Sequence, residues 1–135
     1  MTYKIIDIEG IGEAYAPKLI SAGITKVEQL LEKGATPKGR AALAEATGIS
    51  EKLILKWTNH ADLFRVKGVG PQFAELLEAA GVDTVKEFRH RVPENLAQKL
   101  TETNEQKHLV RRVPSVKEVT KMVALAKELK PVMTY

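Results

Sequence analysis

Ile8-Glu9-Gly10-Ile11-Gly12-Glu13-Ala14-Tyr15-Ala16-Pro17-Lys18-Leu19 and Val66-Lys67-Gly68-Val69-Gly70-Pro71-Gln72-Phe73-Ala74-Glu75-Leu76-Leu77 are one pattern written twice. The register is constant: Gly10 meets Gly68 and Gly12 meets Gly70, an offset of 68 − 10 = 58. It runs on through Ala22-Gly23-Ile24 against Ala80-Gly81-Val82, then Val27 against Val85 and Leu30 against Phe88. Glycines, small residues and apolar residues agree, and charged residues do not. A common backbone and core with diverged surfaces is the mark of a repeated structural unit. Further along, the match loosens. Ala42–Thr47 aligns with Leu96–Thr101, and Lys56-Trp57 with Ala61 aligns with Lys121-Met122 with Ala126. An insertion near Arg112-Val113-Pro114-Ser115 shifts the register. Repeat 1 covers about 5–64 and repeat 2 about 65–130, and residues 1–135 are read as a single domain.

Local signals make both copies all-α. Glu13–Ser21 carries apolar residues at helical spacing and stops at Gly23, a natural left-handed end. Thr25, with Glu28 three residues on, reads as a capping box for a helix to about Glu32. Thr36-Pro37 opens the next helix, with proline at its first position, and Gly48 ends it. Ser50-Glu51 opens a longer helix to about Phe64. The second copy reads as helices over Pro71–Ala80, Thr84–Arg91, Pro93–Thr101, Glu105–Arg111 and Val116–Lys130, the last capped by Ser115 with Glu118. Tyr3–Ile8 is the one candidate strand.

Composition narrows the function classes. Apolar residues make up 44% of the 135, enough for a core. There is no cysteine, which excludes disulfides and thiolate metal sites. No apolar run nears the roughly 20 residues that span a bilayer, and no signal peptide is visible, so a cytoplasmic location is expected. Net charge is 21 − 17 = +4, with acids and bases interspersed. That permits a nucleic-acid partner without demanding one. His60, His90 and His108 lack metal-ligand spacing. Gly34–Gly39 lacks the Gly-Lys-Ser/Thr end of a P-loop, and Gly10-x-Gly12 has no third glycine for a dinucleotide site. No nucleophile has an obvious base. Neither enzyme activity, metal nor cofactor is expected.

Apolar-x-Gly-apolar-Gly followed by Ala and Leu at helical spacing resembles the helix-hairpin-helix motif. Physically, the glycines turn the backbone tightly, Ile11 or Val69 plugs the turn into the core, and outward amides meet the positive end of the next helix. In families with this motif the resulting anion site grips a nucleic-acid phosphate. The whole chain further resembles the domain of unknown function 4332 family, a bacterial family built from such repeats. That resemblance implies the fold, one compact domain of two pseudo-equivalent helix-hairpin-helix repeats, and assigns no activity.

The hairpins differ in charge. Gly10, Ile11 and Gly12 are flanked by Asp7, Glu9 and Glu13, and Glu13 can fill the anion position itself. Gly68, Val69 and Gly70 are flanked by Arg65 and Lys67 and followed by Gln72. Where DNA-binding members carry a base shortly after the second glycine, this chain carries Gln72 or Ala14. Arg89, Arg91, Lys107, Arg111 and Arg112 complete a candidate nucleic-acid-binding set, the competing role being ion pairs with Glu87, Glu94 and Glu105. Trp57 beside Leu53, Ile54 and Ala61 reads as core, as does Tyr15, equivalent to Phe73. Two functions remain open: sequence-independent contact with DNA or RNA, and a protein-interaction scaffold in which the hairpins only pack. The apolar faces predict that Glu51–Phe64 covers the helix after the second hairpin. They also predict that Val116–Lys130 packs on the first repeat near Gly10–Leu19, within a monomer or as a swapped dimer.

Overall fold

The computed structural model describes residues 3–135. Among these the chain forms eight α-helices and no β-strand. They are α1 (Gly12–Ser21), α2 (Val27–Gly34), α3 (Pro37–Thr47), α4 (Glu51–Leu63), α5 (Pro71–Ala79), α6 (Val85–Phe88), α7 (Pro93–Lys107) and α8 (Val116–Glu128). The chain divides into two compact units. One runs up to Asp62 and takes in Val132–Tyr135; the other spans Leu63–Pro131.

In the first unit, the expected strand at Tyr3–Ile8 is instead a single 3₁₀ turn at Ile5–Asp7 beside an isolated antiparallel bridge between Lys4 and Lys26. Ile5 donates its N–H to Thr25 O and Val27 donates to Tyr3 O, so two short segments are pinned without a ladder. Helix α1 ends as expected. Gly23 adopts φ +87°, donates to Ile20 O, and Ile24 donates to Leu19 O, the paired bonds that satisfy the last carbonyls of a helix. The start of α2 moves by one residue. Lys26, not Thr25, is its N-cap, and the Gln29 side chain, not Glu28, accepts from the backbone of Thr25 and Lys26. Thr36 caps α3 through Gly39 N–H at 3.0 Å, and Gly48 closes it at φ +74°.

Helix α4 supplies this unit with its largest buried side chain. Trp57 is 1% exposed, its ring lies 5.1 Å from that of Tyr15, and its indole Nε1 abuts Gly10. That corrects the expectation that the apolar face of α4 covers the second hairpin: it covers the first. Buried Arg40 donates to Gly34 O at 2.8 Å and to Thr134 O at 2.7 Å, while Thr134 N–H donates to Ala35 O. The last residues are thereby tied to the end of α2.

In the second unit, α5 ends with the same pair of bonds as α1. Gly81 has φ +96° and donates to Glu78 O, and Val82 donates to Leu77 O. Helix α6 is shorter than expected, closing at Phe88. One continuous α7 replaces the two helices expected over 93–101 and 105–111, and it stops at Lys107, so residues 108–111 are not helical. The hydroxyls of Thr101 and Thr103 bond back to Ala97 O and Lys99 O, so these threonines satisfy themselves inside the helix instead of breaking it. Asn104 terminates α7: its Oδ1 accepts from Leu109 and Val110 N–H, its Nδ2 donates to Val110 O, and His108 takes a left-handed φ of 51°.

Helix α8 carries the expected capping box, Ser115 with Glu118, and ends two residues early at Glu128. Its packing overturns the expected closure on the first repeat. Val119, Val123 and Ala126 are buried in the second unit's core with Phe88, Leu96 and Leu100, and Met122 reaches Gly68. Trp57 thus lies on Gly10 and Met122 on Gly68. Each unit's hairpin is covered by the last helix of that unit, α4 or α8. For Met122 this closes the smaller loop, 122 − 68 = 54 residues against 122 − 10 = 112, which costs less entropy, whereas for Trp57 it closes the larger, 57 − 10 = 47 against 68 − 57 = 11.

Candidate nucleic-acid interface

The second hairpin is built as its residues require. Val69 is 3% exposed and donates its N–H to Val66 O at 3.1 Å, so the turn is plugged and closed. Gly68 sits at the surface with φ +99°, a conformation that strains any residue with a Cβ. Gly70 is the extended N-cap of α5, with no side chain capping the helix. Pro71 at the first position removes one orphan donor and leaves the next amides of the turn, led by exposed Gln72, at the positive helix end.

The basic residues singled out from sequence in the second unit fall into two groups. Four arginines are engaged. Arg89 donates to Lys127 O at 3.4 Å in the last turn of α8, and Arg65 donates to Lys130 O at 2.7 Å just beyond it. Arg91 donates to Gly81 O at 2.8 Å and pairs with Glu87 at 3.1 Å, the glutamate named from sequence as its competitor. Arg112 binds Glu118 through both guanidinium nitrogens, at 2.7 and 2.9 Å. That fork raises the Arg112 pKa and holds the Glu118 carboxyl down to about 2, with the Ser115 N–H adding to the effect. Guanidinium groups near helix C-termini are favourable because they meet the unsatisfied carbonyls there.

The second group is Lys67, Lys107 and Arg111, all exposed. Arg111 and His108 line one open depression of about 470 Å³ with Gln72, floored by Leu109 and Val110. The base that the hairpin lacks at Gln72 therefore has a neighbour from another element. Arg111 comes from the loop that Asn104 holds, so its placement rests on the end of α7 and not on the hairpin. Sequence singled out Arg111 only as part of a basic cluster. It missed Asn104, whose signal was an asparagine at a helix end followed by a non-helical run.

The first hairpin differs. Ile11 is 1% exposed and closes on Ile8 O, as Val69 does on Val66 O. Gly10 and Gly12 both have positive φ, +92° and +53°. Helix α1 carries Glu13 in its first turn, and Asp7 turns its carboxylate to the Lys4 N–H at 2.9 Å. Glu13 thus adds negative charge to the first turn of α1, the helix end that a phosphate would need positive.

Against families of known sequence, the model for a domain of unknown function (DUF4332) matches residues 9–129. The chain belongs to the DUF4332 family. The matched span begins at the first Gly-x-Gly turn and closes at the end of α8, so it takes in both Gly-x-Gly turns and all eight helices. No curated protein and no solved structure matches the chain. No helix among the described residues is long and apolar enough to cross a membrane, and none of their His, Asp and Glu side chains group as a metal site.

Proposed function

We propose that this DUF4332 chain is a non-catalytic binding module of tandem helix-hairpin-helix repeats that contacts nucleic acid without sequence preference through its second hairpin. The observation that carries the reading is the depression at the start of α5, where Gln72, His108 and Arg111 converge. A phosphate there meets main-chain amides at a helix N-terminus and a guanidinium from a second element. Lys67 and Lys107 add charge to the same unit, and these contacts fall on backbone phosphates, which carry no sequence information.

The test is a fluorescence-anisotropy titration with labelled single-stranded DNA, duplex DNA and RNA at 50 and 200 mM salt. If Lys67, Lys107 and Arg111 each neutralise a phosphate, affinity for duplex falls roughly 40-fold between the two salts. Lys67→Glu and Arg111→Glu weaken binding, and Glu9→Lys leaves it unchanged. Equal affinity of wild type and Lys67→Glu rejects the assignment to the second hairpin. Absence of binding to all three probes at 50 mM salt leaves the alternative, a protein-interaction module in which the buried Ile11 and Val69 make the hairpins packing joints alone.

A further inference from the structure

The first unit leaves an apolar surface open where helix α1 meets the turn before it. Ile6 is 45% exposed and Ile20 is 50% exposed, whereas their chain neighbours Ile5 and Leu19 are 1% and 0% exposed. Between them lies a groove of about 280 Å³, lined by Ile5, Ile6, Ala16 and Ile20, with Lys4, Thr25 and Lys26 at its edge. Nothing about the groove is loose. Ile5 donates to Thr25 O and Val27 donates to Tyr3 O, so both rims are fixed by main-chain bonds.

A comparison along the 58-residue register shows that these aliphatics are not required by the fold. Ile20 stands where the second copy has Glu78, and Ile6 stands where it has Phe64. Phe64 packs against the second unit's core, and Glu78 presents a polar side chain at the helix surface. The second unit therefore buries one position and keeps the other polar, while the first exposes an isoleucine at both. Leaving two adjacent aliphatics in water forgoes roughly 25 cal/mol for each Å² that burial would remove. Contiguous exposed apolar surface with a polar rim marks an interaction site.

We infer that this groove is a docking site for an acidic peptide segment of a partner protein, anchored by one or two aliphatic side chains. The volume lies just under the roughly 300–1,000 Å³ of pockets that enclose a small molecule. That suits side-chain anchors on a chain that runs on past the groove. The rim sets the charge. Lys4 and Lys26 line the groove, no acidic side chain among the described residues does, and the Asp7 carboxylate is turned to the Lys4 N–H at 2.9 Å. Carboxylates on either side of the anchor meet the two ammonium groups, which steers encounter and fixes register. The site is in the first unit and does not depend on the nucleic-acid reading of the second hairpin.

The test is selection of a randomised twelve-residue peptide display library on the full chain, counter-selected on Ile20→Glu. This substitution places at position 20 the residue type found at 78, and circular dichroism checks that it folds. Ile6→Asp serves as a second, independent variant. The expected result is enrichment of sequences with Leu, Ile, Met or Phe flanked by Asp or Glu. A synthesised peptide from that set then binds the wild type at least tenfold more tightly than either variant, and more tightly than Lys4→Glu/Lys26→Glu. Its amide-shift changes centre on residues 4–6, 16–20 and 25–26. No enrichment overturns the proposal. So does enrichment of neutral or basic peptides, or equal binding to wild type and Ile20→Glu. Failure of the nucleic-acid titration leaves this result untouched, and the converse holds.

Discussion

Gly39 is the residue where chain geometry allows least change. It has ordinary helical placement in the first turn of α3, yet a Cβ there would collide with the carbonyl oxygen of Lys33. Main chain cannot swing aside as a side chain can. We expect Gly39→Ala to cost about 2–3 kcal/mol, as overpacking of a filled site does. Gly23→Ala and Gly81→Ala meet a different obstacle, positive φ at a helix end, and are expected to cost about 1–2 kcal/mol each. Urea unfolding of the three variants checks the order, and a Gly39→Ala loss below that of Gly23→Ala would show that α3 can shift. Arg40 is the second such residue. It is 5% exposed and satisfies two carbonyls from separate segments. Arg40→Met keeps the apolar stem and orphans both oxygens, so a loss of about 2 kcal/mol is expected, accompanied by faster carboxypeptidase removal of the last residues.

At the scale of the element, α8 carries a titratable cap. Glu118 is held down to about 2, first by the Arg112 hydrogen bonds and then by the Ser115 N–H. Its folded pKa lies below the ordinary 4.5. The cap's contribution is therefore fully present above about 4.5 and is lost as pH falls from there through about 2. Carbon-detected NMR titration of the Glu118 carboxyl should give a midpoint near 2 in the wild type, rising toward the ordinary carboxylate range in Arg112→Ala. An unchanged midpoint would mean that Ser115, not Arg112, sets it. Sequence showed the capping box directly, because Ser and Glu three residues apart before an apolar stripe leave little else to form. The reach of Arg112 to Glu118 was not visible there, since it depends on how the loop between α7 and α8 turns. The fusion of α7 was hidden for a related reason. Thr101 and Thr103 read as weak helix formers, and only their own hydroxyl bonds to Ala97 O and Lys99 O show how the helix tolerates them.

At the scale of the whole molecule, the two compact units set a sharp expectation for truncation. Leu63–Pro131 comprises 131 − 63 + 1 = 69 residues, a size at which a single core is only marginally stable. Removing Val132–Tyr135 takes away Met133, which is 7% exposed, and the Thr134 carbonyl that Arg40 binds. Hydrogen exchange should show faster exchange in α2 and α3 with α7 and α8 unchanged; an equal loss in both units would show one cooperative body. The helical class, the helix ends at Gly23, Gly48 and Gly81, the caps at Thr36 and Ser115, and the burial of Trp57, Ile11 and Val69 were all determined by the sequence alone. Each follows from local backbone preference or from apolar spacing, which act within a few residues. Which helix covers which hairpin was decided only by the tertiary structure. An apolar stripe such as Val119, Val123 and Ala126 states that a partner is needed and carries no address. Met122 went to Gly68, the nearer turn along the chain, but Trp57 went to Gly10 although Gly68 lies only 68 − 57 = 11 residues away, so chain separation alone does not set the pairing. The candidate sites divide in the same way. The Gly-x-Gly turns are legible as residues in a row, whereas the meeting of Gln72 with Arg111, and of Ile6 with Ile20, joins segments whose distance in space no local rule contains.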